Sequence, residues 1–474
     1  MATIEQLALW AVALLCVAWG FWKRYYRWKN PQAPALVSGP VPWLGAAVAF
    51  GKGPPVRFLE ETARSALGDC FTLHVAGRYL TFVLNPQYYE KFFNPDEALT
   101  GIDFAHATQP FLTRCFGVPA ADYFASHLPD LAALRRRLSP ARLPALAAAL
   151  QGNLSSHVAA LSLPAEGRLP RFRDFLQRAS FAASVRALFG DALADSPLLY
   201  EHFLRFDDSF ELASSDLPHF LLPSFTRAKA ALLSALAAAS PSWPPLPPQQ
   251  QQEDPDALVA SVVRGSRDHA QGASWALATL WASQANTMVS LFWLVIDLLS
   301  NPAFLSRARL QAQQALQKHG GLLSSAAVSE MPLLDAALRE SLRLRSAPVI
   351  LRATVRPVSL GPYVVPPGHF LCLSPLLSHR RHDLFPDPSS WAPERWLPPN
   401  DSQPLHRYAY ISFGSGLYRC PGQSYAHLQL VLIAAFLLTT FDFQLLDPVP
   451  SASLDCLVGV QKPLNDVRVD YRRL

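Results

Sequence analysis

Cysteine is scarce in this 474-residue chain and never paired in sequence: the six stand at 16, 70, 115, 372, 420 and 456, with no CxxC among them. That excludes a disulfide framework and argues against a zinc site built from cysteines. Free thiols also suit a body that faces a reducing compartment. A strong charge of one sign is missing too, since 41 Lys and Arg stand against 36 Asp and Glu. Such a mild excess gives no reason to expect nucleic acid as a partner. No G-x-G-x-x-G joins a strand to a helix, so the chain carries no dinucleotide-binding unit of its own. No long internal repeat stands out.

What is present is hydrophobic. Half the residues are apolar, enough for a large core in one large domain or two closely fused ones, given usual domain sizes of roughly 100–200 residues. "LALWAVALLCVAWGFW" (Leu7 to Trp22) is uncharged and is followed at once by "KRYYRWK". A spanning helix needs about 20 residues, and the Trp and Tyr flanks suit the membrane interface. Lys23, Arg24, Arg27 and Lys29 would keep the rest of the chain on the cytosolic side. A cleaved signal peptide carries its positive charge before the apolar run, so residues 1–29 are expected to be an uncleaved single-pass anchor with a basic flank. The proline-rich stretch 30–45 cannot continue that helix and is expected to be a stiff hinge, with the main body at 46–474.

Within the body, "FTLHVAGRYLTFVLN" (Phe71 to Asn85) predicts a hairpin broken at Gly77. Ala- and Leu-rich helical spacing dominates Pro129 to Ser240. The low-complexity run Ser240 to Asp256 is expected to be an exposed loop. The apolar stretch Ser274 to Pro302 is interrupted by Ser283, Gln284, Asn286 and Thr287. Polar groups are expensive in lipid, so a buried central helix with a polar patch is expected there rather than a second span.

"FGSGLYRCPGQSYAHLQLVLIAAFLL", from Phe413, sets one cysteine between a glycine-rich turn and a long apolar helix. Pro421 suits the first position of a helix, which puts Cys420 at the helix mouth, where free amides and the positive dipole end favour a thiolate. Gly414, Gly416 and Gly422 let the backbone pass close to something large and flat. A rigidly held thiolate without a histidine base looks more like a metal ligand than a hydrolytic nucleophile. Upstream, "RESLRLR" sets Glu340 and Arg343 on one helical face, and "WAPERW" supplies Arg395. A buried Glu/Arg pair needs its hydrogen bonds completed, so a second arginine closing a triad makes physical sense.

The pattern Phe413, Gly414, Gly416, Cys420 and Gly422, with the triad ahead of it, resembles that of the cytochromes P-450 over essentially the whole chain. The resemblance implies a mainly α fold with a smaller β part and an N-terminal transmembrane anchor. It implies that 46–474 is a haem-thiolate catalytic domain holding haem b, with Cys420 as the axial ligand of the iron and molecular oxygen as co-substrate. Electrons would come from NADPH through a separate NADPH-cytochrome P-450 reductase, on the cytosolic face of the endoplasmic reticulum membrane. The basic run Arg135 to Arg137 could meet that reductase or a haem propionate.

Two departures narrow the branch. The central helix of the family usually carries an acid followed by threonine, where "WASQANT" has Ala285 and Asn286; sterol 7α- and 12α-hydroxylases and prostacyclin synthase share this. Tyr418 replaces a common basic residue, and the third helix lacks its usual tryptophan, which leaves Arg352 as the expected propionate contact. The segments "GPVPWLGAAVAFGKGP", "FPDPSSWAPERW", "LLDPVP" and "LVGVQKP" resemble the oxysterol 7α-hydroxylating group. They imply oxygen insertion at the 7α carbon of 24-hydroxycholesterol or a similar oxysterol, in cholesterol catabolism and bile acid synthesis. Asn286 is the catalytic candidate on the central helix, able to organise a water or only to pack. Trp281, Ala285, Asn286, Val349, Ile350 and Val458 are the sterol-wall candidates. The segment Glu201 to Phe225 is expected to roof the site. A peroxide isomerase like prostacyclin synthase and a haem protein without catalysis stay open alternatives.

Overall fold

The computed structural model describes residues 4–474 except 40, 42, 67, 95, 97–99, 241–268 and 401–405. All but the first residue of the low-complexity run Ser240 to Asp256 lies outside the described residues.

One helix organises the rest. The central helix His269–Leu299 runs 31 residues, and from Gly272 onward it is mostly buried. Apolar all round, it has no face to give to water and so belongs inside. Around it pack the helices Phe172–Phe189, Pro223–Ala239, Pro332–Arg345 and Gln423–Thr440. The Gln423–Thr440 helix is likewise long and apolar enough to cross a membrane by composition, yet it too is largely enclosed by protein.

Polar side chains on the central helix are satisfied inside the core, as burial demands. Ser184 Oγ donates to Gln284 Oε1 at 2.8 Å. Asp297 holds Arg345 at 2.8 and 3.0 Å and accepts from Ser341 at 2.6 Å.

The β part is a six-stranded mixed sheet in the spatial order Ala35–Val37, Cys70–Val75, Arg78–Val83, Phe370–Leu373, Ile350–Thr354, Ile102–Asp103, together with a three-stranded sheet of Phe441–Leu445, Val469–Arg473 and Glu166–Leu169 and a two-stranded one of Val358–Leu360 and Tyr363–Val365. The expected hairpin is present: Cys70 pairs with Val83 through to Val75 with Arg78. Its turn is Ala76–Gly77, both at positive φ (48° and 78°), the mirror-image turn that matches strand twist. Residues 30–45 are stitched to this sheet. Ala35 to Val37 pair in parallel with Phe71 to Leu73, Gln32 O accepts from the Val364 amide, and Trp43 O accepts from the Gly77 amide.

The N-terminal helix Ile4–Lys29 has two unlike faces. Its second half docks on the sheet: Trp19 and Tyr26 are buried, Trp22 stacks with Tyr79, and Tyr79 stacks on His369 at 4.6 Å. Trp19 Nε1 and Lys23 Nζ both donate to Gly39 O. On the opposite face, Trp10, Leu14, Val17 and Phe21 are more than half exposed, Phe21 among them lying within the docked half.

Trp293 ties the central helix to the C-terminal segment, donating from Nε1 to Gln461 O at 2.7 Å, with the Arg345 guanidinium over its ring. Trp293→Phe keeps the ring but orphans that carbonyl. A loss of about 1–3 kcal/mol is expected, read as a lower unfolding midpoint in urea relative to the unchanged protein.

Candidate active site

Glu340 and Arg343 are completely buried. Arg343 Nε and one terminal nitrogen bond both carboxylate oxygens of Glu340 at 2.9 and 2.8 Å. Its remaining donors reach the carbonyls of His379, Pro388 and Ser390 at 2.8–3.0 Å. Arg395 Nε and the Ala392 amide meet Glu340 Oε1 at 3.0 Å, and Trp396 Nε1 meets Oε2 at 2.9 Å. The three residues of the triad thus come together, and every lone pair and proton is used. Such completion is what makes a buried ion pair tolerable.

Two contributors were missed in the sequence. Trp396 sits inside the quoted "WAPERW", so its indole could have been read as a second donor. His379 gave no local signal. Its Nε2 accepts from the Ile411 amide at 3.0 Å, while Nδ1 lies 3.1 Å from Arg343 O. The proton therefore sits on Nδ1 and the ring is neutral. Burial pushes its pKa down to about 3. His379 links the Glu340 helix to the segment that opens the cysteine loop.

That loop runs from Phe413 to Gly422. Cys420 N donates to Phe413 O at 2.9 Å, closing it. Gly416, at φ +68°, lies so close to Phe93 that a Cβ would sit 2.2 Å from its carbonyl oxygen. Gly414 also takes positive φ (+65°). Gly422 does not; it caps the helix at φ −87°. The helix begins at Gln423, two residues later than the Pro421 start expected from sequence, because Pro421 and Gly422 form a turn first.

Cys420 is exposed, yet protein surrounds it. Burial raises its thiol pKa, with the Gly422 amide and Arg419 pulling the other way. A thiol that is accessible and deeply seated fits a ligand position for a metal held inside the protein, since a cation supplies the missing charge.

Arg352, only 4% exposed, donates to Leu351 O at 2.8 Å. Its guanidinium lies 4.7–5.1 Å from the ring centroids of Phe104, Phe92 and Tyr418. Tyr418, where the family often has a base, stacks on Phe104 at 4.1 Å. A buried guanidinium suits an anionic group such as a propionate. Arg135 donates to Leu417 O and to Arg419 O, so this arginine of the basic run braces the cysteine loop.

Of the wall candidates, Asn286, Val349 and Val458 converge. Asn286 Oδ1 accepts the Val460 amide at 2.9 Å, and the Val349 amide donates to Leu457 O at 2.9 Å. Trp281 stacks on Phe210 at 4.0 Å and donates to Asp207 Oδ1 at 2.9 Å. Ala285 is buried on the same helix. Ile350 packs apart from these, with the cluster around Tyr89 and Phe92. In the segment expected to roof the site, Glu211 accepts the Leu457 and Val458 amides, and burial raises its carboxyl pKa despite them.

A thiol presented by a glycine loop at a helix mouth, behind a saturated Glu/Arg pair in a mainly helical fold, is an arrangement suited to a metal ligand. The fold is shared with retinoic acid bound cyanobacterial CYP120A1 (TM-score 0.76, 21% identity, 93% of this chain and 99% of that one). The family model described as Cytochrome P450 matches residues 273–468. At full length the chain is similar to the 24-hydroxycholesterol 7-alpha-hydroxylase of Mus musculus, 28% identical over 100% of both chains. It is 26% identical to the Homo sapiens protein of that name over 94% of this chain and 95% of that one. A third relative is the 7-alpha-hydroxycholest-4-en-3-one 12-alpha-hydroxylase of Oryctolagus cuniculus (27%; 98% and 99%).

His379 generates a pH prediction. Its folded pKa lies below the ordinary 6.5, so between the two values the unfolded chain binds more protons, and acid removes stability. Stability should fall as pH drops from about 6.5 towards 3. The slope over that window should be shallower in His379→Gln, whatever its absolute stability, as measured by urea unfolding at a series of pH values.

Proposed function

We propose that this protein is a membrane-anchored monooxygenase that hydroxylates an oxysterol, with 24-hydroxycholesterol at the 7α position as the foremost reaction, in cholesterol catabolism and bile acid synthesis. The observation that carries this reading is end-to-end similarity to relatives named for that reaction. Cys420 would ligate the iron, the Phe413–Gly422 loop would carry it, and Arg352 would meet a propionate. When bound, haem supplies the activation of oxygen, with electrons delivered from NADPH by NADPH-cytochrome P-450 reductase.

The chain's own part is positioning. Trp281, Ala285, Asn286, Val349 and Val458 give an apolar wall with few polar groups, the composition that suits a sterol; Ile350 is the outlying candidate. Asn286 Oδ1 accepts the Val460 amide, and its Nδ2 group is left to donate to a ligand. A carboxamide does not readily exchange its protons, so Asn286 would orient a water or steady negative charge rather than pass a proton along as a threonine hydroxyl does.

The helix Ile4–Lys29 would anchor the protein in the endoplasmic reticulum membrane. Its exposed apolar face at Trp10, Leu14, Val17 and Phe21 supports insertion, and the basic flank places the body in the cytosol. The docked second half would then hold the body at a set angle to the bilayer.

The test is turnover of side-chain-hydroxylated sterols and a prostaglandin endoperoxide by purified protein, with and without reductase and NADPH, with products read by mass spectrometry. Reductase-dependent 7α-hydroxylation, greatest for the 24-hydroxy sterol, is expected. Endoperoxide conversion without NADPH would replace this reading with an isomerase, and ligand binding without turnover of either would make the protein a non-catalytic haem binder. Arg352→Ala should lower haem content per protein; unchanged content would remove Arg352 from haem retention.

A further inference from the structure

The turn 457–460 is gripped from three directions. From the central helix, Asn286 Oδ1 accepts the Val460 amide, and Gly459 lies so near that a Cβ there would sit 2.2 Å from that oxygen. From the segment after the Glu340 helix, the Ala347 and Val349 amides donate to Gly459 O and Leu457 O at 3.0 and 2.9 Å. From the short helix Phe210–Ser214, Glu211 Oε1 accepts the Leu457 and Val458 amides, each at 2.9 Å.

The third grip is unlike the others because it uses a carboxylate. Taking a carboxylate out of water is costly, and an apolar side chain would fill the same place more cheaply. What Glu211 achieves is geometric: one oxygen fixes two successive amides and with them the Val458 side chain. The helix that carries Glu211 also presents Phe210, stacked on Trp281. One helical turn earlier, Asp207 pairs with Lys462 at 2.6 Å. The roof and the C-terminal turn are thereby one unit, and the two wall candidates Trp281 and Val458 are placed by contacts made to the same segment.

We propose that Glu211 is a specificity-determining positioning residue: by tying the roof to the 457–460 turn it sets where Val458 stands, and so how long an apolar ligand the cavity accepts. Glu211 acts through Val458. The inference rests on the proposed function for the place of Val458 on the ligand wall, and the sterol reading adds only the identity of the natural ligand.

The experiment uses full-length haem-loaded protein and two ligand sets. The first is 1-alkylimidazoles of rising chain length, which need haem but no sterol activity, with dissociation constants read from the haem absorption spectrum. The second is sterols differing in tail length, read by binding and by product. Glu211→Leu fills the space without an acceptor; Glu211→Gln restores one. The unchanged protein should show a length optimum. Glu211→Leu should flatten it, changing affinity for the longest ligands by roughly tenfold or more, since two charge-assisted bonds are lost. Glu211→Gln should recover most of the profile, which a generally loosened fold would not do.

An unaltered length profile in Glu211→Leu with full haem content would overturn the proposal. If Glu211→Leu fails to take up haem, Val458→Ala decides, since Glu211 acts through Val458: a shifted length optimum supports the proposal, and a profile identical to that of the unchanged protein overturns it. An alkylimidazole profile that shifts while no sterol binds supports Glu211 and refutes the sterol reading. Sterol turnover with the same tail preference in all three proteins does the reverse.

Discussion

The Glu340–Arg343 pair is the interaction on which the rest of the site depends. Two opposite charges buried completely are tolerable only when their remaining hydrogen-bonding capacity is met, and here the protein meets it with backbone. Arg343 collects the carbonyls of residues 379, 388 and 390, and Glu340 collects the amide of 392 with Arg395 and Trp396. A stretch with little regular structure is thus folded around one ion pair. Removing either charge would strand its partner at a cost of about 3–5 kcal/mol. It would also free the segment that leads, through His379 and Ile411, to the loop of Cys420.

A second constraint works on the turn 457–460, which takes its shape from neighbours. Asn286, the Ala347–Val349 segment and Glu211 hold it by hydrogen bonds. Asn286 therefore has a structural commitment: its Oδ1 holds the Val460 amide and with it one edge of the turn.

Much of this was legible in the sequence, for definite reasons. The hairpin at Gly77 was marked by alternation and by a glycine where the chain must turn. The spacing of Glu340 and Arg343 puts them on one face of any helix. The cysteine loop carries glycines at 414 and 416 because the backbone there takes positive φ, and at 416 because Phe93 leaves no room for a side chain. The central helix was separable from a membrane span by its four polar residues. The helix start at Gln423 was placed two residues early, since Pro421 suits a first turn and a preceding turn equally well.

The sequence by itself determined the local conformations, the ion-pair spacing and the thiol at the mouth of an apolar helix, because each depends on residues within a few positions of one another. Only the tertiary structure decided what those groups do to each other. Glu211 meets its amides 246 and 247 residues away. Asn286 finds Val460 at a separation of 174, and Arg352 reaches Tyr418 and Phe104 from another element altogether. The surroundings of Cys420 were decided there as well: helix-end amides and a nearby cation can be read locally, but the desolvation that raises its thiol pKa is a property of everything packed around the sulfur.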